Sequence, residues 1–490
     1  MQGETETTHI NGIIQRGAAQ NLTDRGFLAA EIRDWLVSPK RRMQIHGEKY
    51  YNGEQAILRK KRQVIGKDGK LEVVKNLPNS RIVDNQYARL VDQKANYLVG
   101  KPPTFDGPKE TVAALQDALG KGFFRTLRMV AEDALNGGVG WLMPWYGDDG
   151  ILQIRRFEPY EILPFWADAD HTVLDSAVHL YEVETYENAT KRIVQHVEVL
   201  AQNGVYFYIY ENGALTPEDP TYTPYATING TPQNWLRIPL IAWKANAKEI
   251  PLLRRVRALQ DAINLMESAF EDGMRENPRN TILIVVNYDG TDLGELRQNL
   301  ATYSAVKVRD DATGKGGDVR TLQVEVNAEN YQVVLKLFKQ ALIENGRGYD
   351  AKDDRLSGNP NQMNIQSMYS DIDLDANAME SEFQASFEQL FWFLSAHLQN
   401  SGVGNFDLSQ VGVTFNRNVL INNSELIQQC KDSVGLVSDR TILAHHPFVD
   451  NVDDELAAVK KEKQEDQEVY GNTLPPSARQ EPDNQVTSDE

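Results

Sequence analysis

Cysteine is all but absent from this sequence of 490 residues: Cys430 stands alone, so no internal disulfide can form, and a reducing or redox-indifferent setting is expected. Long apolar runs are absent as well. The longest aliphatic stretch, Ile282 to Val286, is a strand's length, far below the roughly 20 residues of a membrane helix, so no membrane partner is expected. The start, MQGETETTHINGIIQRG, has no basic residues leading into an apolar core, which argues against secretion. Positive charge is scarce: 51 Lys and Arg face 70 Asp and Glu, and the net charge of -19 disfavours bulk affinity for nucleic acid. Catalytic signatures are missing too, for no G-x-S-x-G, H-E-x-x-H, C-x-x-C or G-x-G-x-x-G occurs.

What is present is a folded composition, 41% hydrophobic and 25% charged, in a chain long enough for several structural units. Its charge is unevenly placed. Residues 40–101 carry a local balance of +9, with KRR at 40–42 and RKKR at 59–62, whereas residues 453–490 carry -7 and end in a Pro, Ser, Gln and Asp-rich stretch expected to be disordered. The basic stretch reads as a solvated face around a hairpin at Gly66-Lys67-Asp68-Gly69 before it reads as a nucleic-acid patch.

Apolar spacing orders the rest. Helices are expected at 27–37, from Ile82 to the stop at Gly100-Lys101-Pro102-Pro103, and at 109–119 and 122–136. A mostly antiparallel β region follows, with strands at 139–146, 151–157, 177–186, 194–200, 205–211 and 238–243. Pro251 opens a helical seam through Leu252, Val256, Leu259, Ile263, Met266 and Phe270 to Asn277-Pro278. A compact insert is expected at 279–326, with strands 281–288, 305–309 and 319–326 and a short helix near 292–301. A second helix then carries Tyr331, Val334, Leu335, Phe338 and Leu342 on one face, antiparallel to the first.

Residues 350–362, DAKDDRLSGNPNQ, read as a loop. Residues 363–399 contain neither Pro nor Gly and keep apolar steps of 3 or 4, which predicts a helix of roughly 55 Å. That segment holds six carboxylates (Asp371, Asp373, Asp375, Glu380, Glu382, Glu388) and no Lys or Arg. After a strand at 411–415, helices are expected at 422–435 and from 439 to about 468.

Constellations that resemble chemistry read better as structure. Asp371-Ile372-Asp373-Leu374-Asp375 has the alternation of a calcium loop without its glycine or its glutamate at the twelfth position. Gly314-Lys315-Gly316-Gly317 lacks the upstream glycine and the Ser or Thr of a phosphate-binding loop. His445-His446 has no Cys or His nearby to complete a metal set, and Cys430 reads as a small buried residue on an amphipathic helix. No cofactor or metal is expected.

The stretch RIVDNQYARLVDQKANYLVGKPPTF, residues 81–105, carries an Asn before a helix and a Lys-x-x-Tyr-Leu-x-Gly-Lys-Pro ending. With Leu259-Gln260-Asp261-Ala262-Ile263-Asn264 and Ser268, Phe415-Asn416-Arg417-Asn418, Asn423-Ser424-Glu425 and Gly435-Leu436-Val437-Ser438, in that order, it resembles the portal proteins of tailed double-stranded DNA bacteriophages, in the branch typical of long-tailed phages of Gram-positive hosts. The resemblance covers roughly residues 25–468. It implies an α+β, mainly helical fold with no enzymatic activity. It also implies a flexible N-terminus at 1–24, a wing at 25–250, stem helices at 251–277 and 327–349, and a clip at 278–326. A tunnel loop at 350–362, a long helix and return to the wing at 363–419, a crown at 420–468 and an acidic tail at 469–490 complete the order.

Such proteins form rings, dodecameric in the capsid, at one vertex of the virion, after synthesis in the host cytoplasm. DNA is packaged and ejected through the ring, so the implied partners are further copies of the chain, the terminase large subunit, a head-completion adaptor, the major capsid and scaffolding proteins, and double-stranded DNA bound without sequence specificity. In this sequence the resemblance directs DNA contact to Lys352, Arg355, Asn359, Asn361 and Gln362 of the loop, with Lys336, Lys339 and Arg347 of the stem as weaker candidates. Asp371, Asp375 and Glu382 are expected to line the channel, because an acidic wall lets a polyanion slide. The rival readings are a metal-dependent nuclease or other phosphoryl-transfer enzyme, which a magnesium-dependent cleavage assay would reveal, and a monomeric long-helix scaffold.

Overall fold

The computed structural model describes residues 24–65, 69–75, 77–147, 150–187, 190–228, 230–276, 282–286, 289, 294, 308–309, 318–322, 328–350, 362–417, 423–449, 452 and 455–462. The chain divides into two compact units. One comprises 1–350 with 370–418, and the other 351–369 with 419–490.

In the first unit, helix α1 (Arg25–Leu36) is capped by the Asp24 carboxylate, and α2 (Pro39–Tyr51) by the Ser38 hydroxyl with Pro39 in its first turn. Helix α2 is an element that hydrophobic spacing does not reveal, since its buried residues are Gln44, Gly47 and Tyr50. A Cβ on Gly47 would stand 2.0 Å from the Asn136 carbonyl oxygen, so α2 packs by its bare backbone. Short strands β1 (Gln63–Ile65) and β2 (Leu71–Val73) pair antiparallel, and of the turn expected at Gly66-Lys67-Asp68-Gly69 the first three residues lie outside the described ones. Helix α3 (Gln86–Val99), strand β3 (Thr104–Asp106), α4 (Lys109–Leu119) and α5 (Phe123–Gly137) follow, α4 at the expected bounds.

The β region is antiparallel, as its composition predicts. Strands β4 (Val139–Tyr146) and β5 (Leu152–Phe157) belong to a three-stranded sheet. A five-stranded meander contains β6 (Ile162–Trp166), β7 (Leu174–Glu187), β8 (Thr190–Ala201), β9 (Gly204–Glu211) and β10 (Ala214–Thr223), adjacent in that order. Strand β10 is a second unexpected element. Pro217 and Pro220 give it the sequence of a loop, and its register against β9 shifts between Pro217 and Tyr222. After a small hairpin, β11 (Ala226–Ile228) with β12 (Thr231–Gln233), strand β13 (Ile241–Lys244) completes the three-stranded sheet on the far side of β4.

Helix α6 (Leu253–Glu276) packs antiparallel to α7 (Ala328–Asn345), with the Phe270 and Tyr331 rings 4.5 Å apart. Between them in sequence, β14 (Ile282–Val286) pairs antiparallel with β15 (Asp318–Leu322). Of the helix expected near 292–301, Gly294 alone is described, and it is helical.

The long helix is real: α8 runs from Gln362 to Asn400, 39 residues or about 58 Å. Its second half enters the main core, where Phe383, Phe387, Leu390, Phe391 and Leu394 pack with residues of α3, α5, β4, β13 and α6. Trp243 of β13 meets the Phe383 and Phe387 rings edge-on, each at 5.0 Å. Strand β16 (Gly412–Thr414) returns to pair with β3. A separate core seats α1 on the five-stranded sheet.

In the second unit, α9 (Asn423–Asp432) precedes α10 (Asp439–Ala444), which Ser438 caps. The single helix expected from 439 to about 468 is broken. Helix α10 ends at Ala444 with His445 as its cap, just before His446-Pro447, and helix resumes at 455–462.

Candidate functional site

Three cations of the +9 stretch, residues 40–101, are spent inside the chain. Lys40 pairs with Glu249 at 2.8 Å, Lys60 with Asp272 at 2.6 Å and Lys94 with Asp375 at 2.9 Å. Arg42, Lys49, Arg59, Lys61, Lys70, Lys75, Arg81, Arg89 and Lys101 are exposed, so the solvated face expected of that stretch holds for most of its cations and not for Lys40, Lys60 and Lys94.

The acidic helix is partly neutralised within the chain. Although α8 holds no basic residue, cations from other elements reach its carboxylates. Asp375 accepts from Lys94 of α3, from Arg255 of α6 at 2.7 Å and from Arg347, beyond the end of α7, at 2.8 Å. Tyr97 and Arg417 donate to Asp373, and Arg417 also bonds Glu380 at 2.6 Å. Burial pushes the Asp375 carboxyl up, but Lys94 and then Arg255 outweigh it, so it lies below the ordinary carboxylate range. Burial pulls the Lys94 ammonium below its usual value against the attraction of Asp375. Asp375 is therefore an anchor for α8, not an open carboxylate of a channel wall. Asp371 is exposed, while Glu382 is half-buried in the lining of a cavity of about 700 Å³ that also contains Arg237 and Lys244.

Among the stem cations, Lys336 is exposed. Lys339 is instead a bridge, 2.5 Å from Asp84 and 3.0 Å from Glu267, and Arg347 is committed to Asp375. Two carboxylates sharing one ammonium separate in acidity: Asp84 is held below its ordinary value and Glu267 above it. Lys352, Arg355, Asn359 and Asn361 lie outside the described residues, as does Gly314–Gly317. Gln362 opens α8. Asp371 to Asp375 lie within α8, so their backbone is helical and not that of a calcium loop. Among the described residues no group of three or more His, Cys, Asp or Glu forms a candidate metal site, and no helix is long and apolar enough to cross a membrane.

Sequence reasoning missed a polar ladder. Gln260, Asn264, Ser268 and Asp272, four apart on α6, are each at most 1% exposed. Their side chains accept from the backbone N–H groups of Tyr87, Asp84, Ile82 and Ser80, at 2.9, 3.0, 2.9 and 2.6 Å. Gln260 also donates to the Asp84 carbonyl, while Asn264 donates to Gln55, which donates to Asn85, the cap of α3. The two stretches around Asn85 and Gln260 that carried the resemblance are thus two sides of one contact. The available signal was four polar residues at helical spacing, opposite the apolar seam of the same helix.

These features define a structural protein built on long helices locked by buried polar and ionic contacts. The sequence matches the family described as phage portal protein, SPP1 Gp6-like, over residues 40–469, and the chain belongs to that family, whose members are structural proteins and not enzymes. It is 26% identical to the portal protein of Bacillus phage SPP1, covering 96% of this chain and 93% of that one. Identity is also 26% to the portal protein of Clostridium phage phiCD119, covering 85% of this chain and 91% of that one. Among solved structures, a chain of the neck of the native GTA particle, computed with C12 symmetry, aligns at 12% identity, covering 74% of this chain and 89% of that one, with a TM-score of 0.40.

Proposed function

We propose that the chain forms a closed ring, twelve copies in the capsid, at the portal vertex of a phage head, through which DNA is packaged and later ejected. The observation that carries this reading is the family match across residues 40–469. On the same reading, 25–250 is the wing, α6 and α7 are the stem, 278–326 is the clip facing terminase and then the adaptor, and 420–468 is the crown. Residues 350–362 form the tunnel loop, with Lys352, Arg355, Asn359, Asn361 and Gln362 available to phosphates. Head-to-tail closure needs two different complementary surfaces on each subunit. Of Asp371, Asp375 and Glu382, exposed Asp371 and half-buried Glu382 remain the acidic residues suited to a channel wall, since Asp375 is neutralised within the chain.

Light scattering with negative-stain imaging tests the ring. A closed ring of about 660 kDa, twelve times the 55.3 kDa chain, is expected, and a 55.3 kDa monomer at working concentration would overturn it. Deleting 352–359 is expected to block packaging with rings intact; normal packaging by that variant would remove the loop from the mechanism.

A further inference from the structure

His179 of β7 is 2% exposed, and a carboxylate faces each of its ring nitrogens. Glu198 of β8 stands 2.9 Å from Nδ1, and Glu161, at the end of the turn Pro159–Glu161 that leads into β6, stands 3.4 Å from Nε2. Aromatic rings fix the orientation: Phe157 of β5 meets the imidazole edge-on at 4.6 Å, and Tyr181 stacks on it at 4.7 Å. A neutral imidazole has one donor and one acceptor, so either tautomer turns a lone pair on a carboxylate. Only the imidazolium donates to both.

Other charged groups pack around this trio. Tyr181 donates to Glu198, and Arg155 of β5, whose guanidinium lies over the Phe157 ring at 4.6 Å, attracts the same carboxylate. Arg41 of α2 donates to the Tyr160 carbonyl at 3.0 Å and attracts Glu161. His196, opposite Tyr181 on β8, stacks on that ring at 5.5 Å and bonds Glu218 of β10 at 2.5 Å. Burial pulls the His179 imidazole down, but its hydrogen bonds to Glu161 and then Glu198 outweigh this, so it lies above the ordinary histidine value of 6.5. Burial pushes Glu198 up, but His179 outweighs this in turn and holds it below 4.5. We propose that His179 is a pH-sensitive clasp: as imidazolium it fastens both β8 and the turn before β6 to β7, and on losing its proton in alkali it keeps Glu198, its nearer partner, and releases Glu161 with that turn. The contribution of His179 is complete below its unfolded value of 6.5 and is lost as pH rises through the higher folded value. That of Glu198 is complete above 4.5 and is lost as pH falls through its lower folded value, so the clasp is whole only between the two folded values.

Hydrogen exchange on the full-length protein, expressed as protection relative to the intrinsic rate at each pH, tests this. From pH 6 to pH 9, protection of residues 160–163 is expected to fall about tenfold while that of β4 stays constant. H179Q is expected to leave the turn weakly protected at both pH values. E161Q, whose amide can donate to a neutral ring, is expected to keep it protected at both, and unchanged protection of β4 checks that each variant folds. Exchange of the histidine C2 proton, followed by mass spectrometry, reads the ring in the unaltered protein and needs no variant: its midpoint for His179 is expected above 6.5. A midpoint at or below 6.5, constant protection of 160–163 from pH 6 to pH 9 in the wild type, or a fall of the same size in H179Q would each overturn the proposal.

Discussion

Helices α6 and α8 are the longest in the described structure, and they are fastened by opposite means. On α6, one buried stripe is polar and every rung bonds backbone: Gln260, Asn264, Ser268 and Asp272 hold residues 80–87, which lead into α3. Helix α8 divides its attachment along its length. Toward its N-terminal half the carboxylates of Asp373, Asp375 and Glu380 take cations from distant segments, and toward its C-terminal half aromatic side chains fill the core. The contrast concerns replaceability. Aromatic packing depends on volume and the ionic anchor on charge, whereas the ladder depends on donors and acceptors in one register.

Removing volume should have the largest effect. Phe387→Ala is expected to cost about 3–5 kcal/mol, read as a shifted denaturant midpoint, because the ring is fully buried among Phe105, Phe123, Trp243 and Phe391. A cost below about 1 kcal/mol would move the weight of α8 to its ionic half.

Next, Asn264→Ala should cost about 2–3 kcal/mol by leaving the Asp84 N–H and Gln55 side chain without their partner. Asn264→Asp, which keeps an acceptor but loses the donor to Gln55, would sharpen this by falling between wild type and alanine.

The smallest effect is expected at the ionic anchor. Asp375→Asn should cost about 1–2 kcal/mol near neutral pH, since Arg255 and Arg347 stay 34% and 48% exposed and water screens them. The folded Asp375 carboxyl lies below its unfolded value of 3.8, so its contribution is complete above that pH and is lost as pH falls through the folded value. Thermal melting of wild type and variant should converge in acid, and a constant gap from pH 7 to pH 2 would exclude Asp375 as the source.

Much of this architecture was legible because local signals agreed. Strand β4 occupies the expected 139–146, and α8 differs by one residue at each end from the expected 363–399. Helix α2 was hidden because it packs through Gly47 and Gln44, although Ser38-Pro39 marked its start. Strand β10 was hidden by its prolines. At the candidate site, the carboxylates of α8 were visible but their neutralisation was not. The partner of Asp375 on α3 lies 281 residues away, and a charge pattern read along the chain carries no record of such pairing.

The ladder on α6 has a consequence for the geometry of the chain it holds. Four residues of helix advance about 6.0 Å, close to the roughly 6.6 Å covered by two residues of extended chain. Helix positions 272, 268 and 264 therefore meet alternate residues 80, 82 and 84, and α6 acts as a ruler along which a strand is laid without a sheet. The two scales drift apart by about 0.6 Å per rung. The match survives only a few rungs: the last one, from Gln260, skips to Tyr87, where the held segment has already turned into α3.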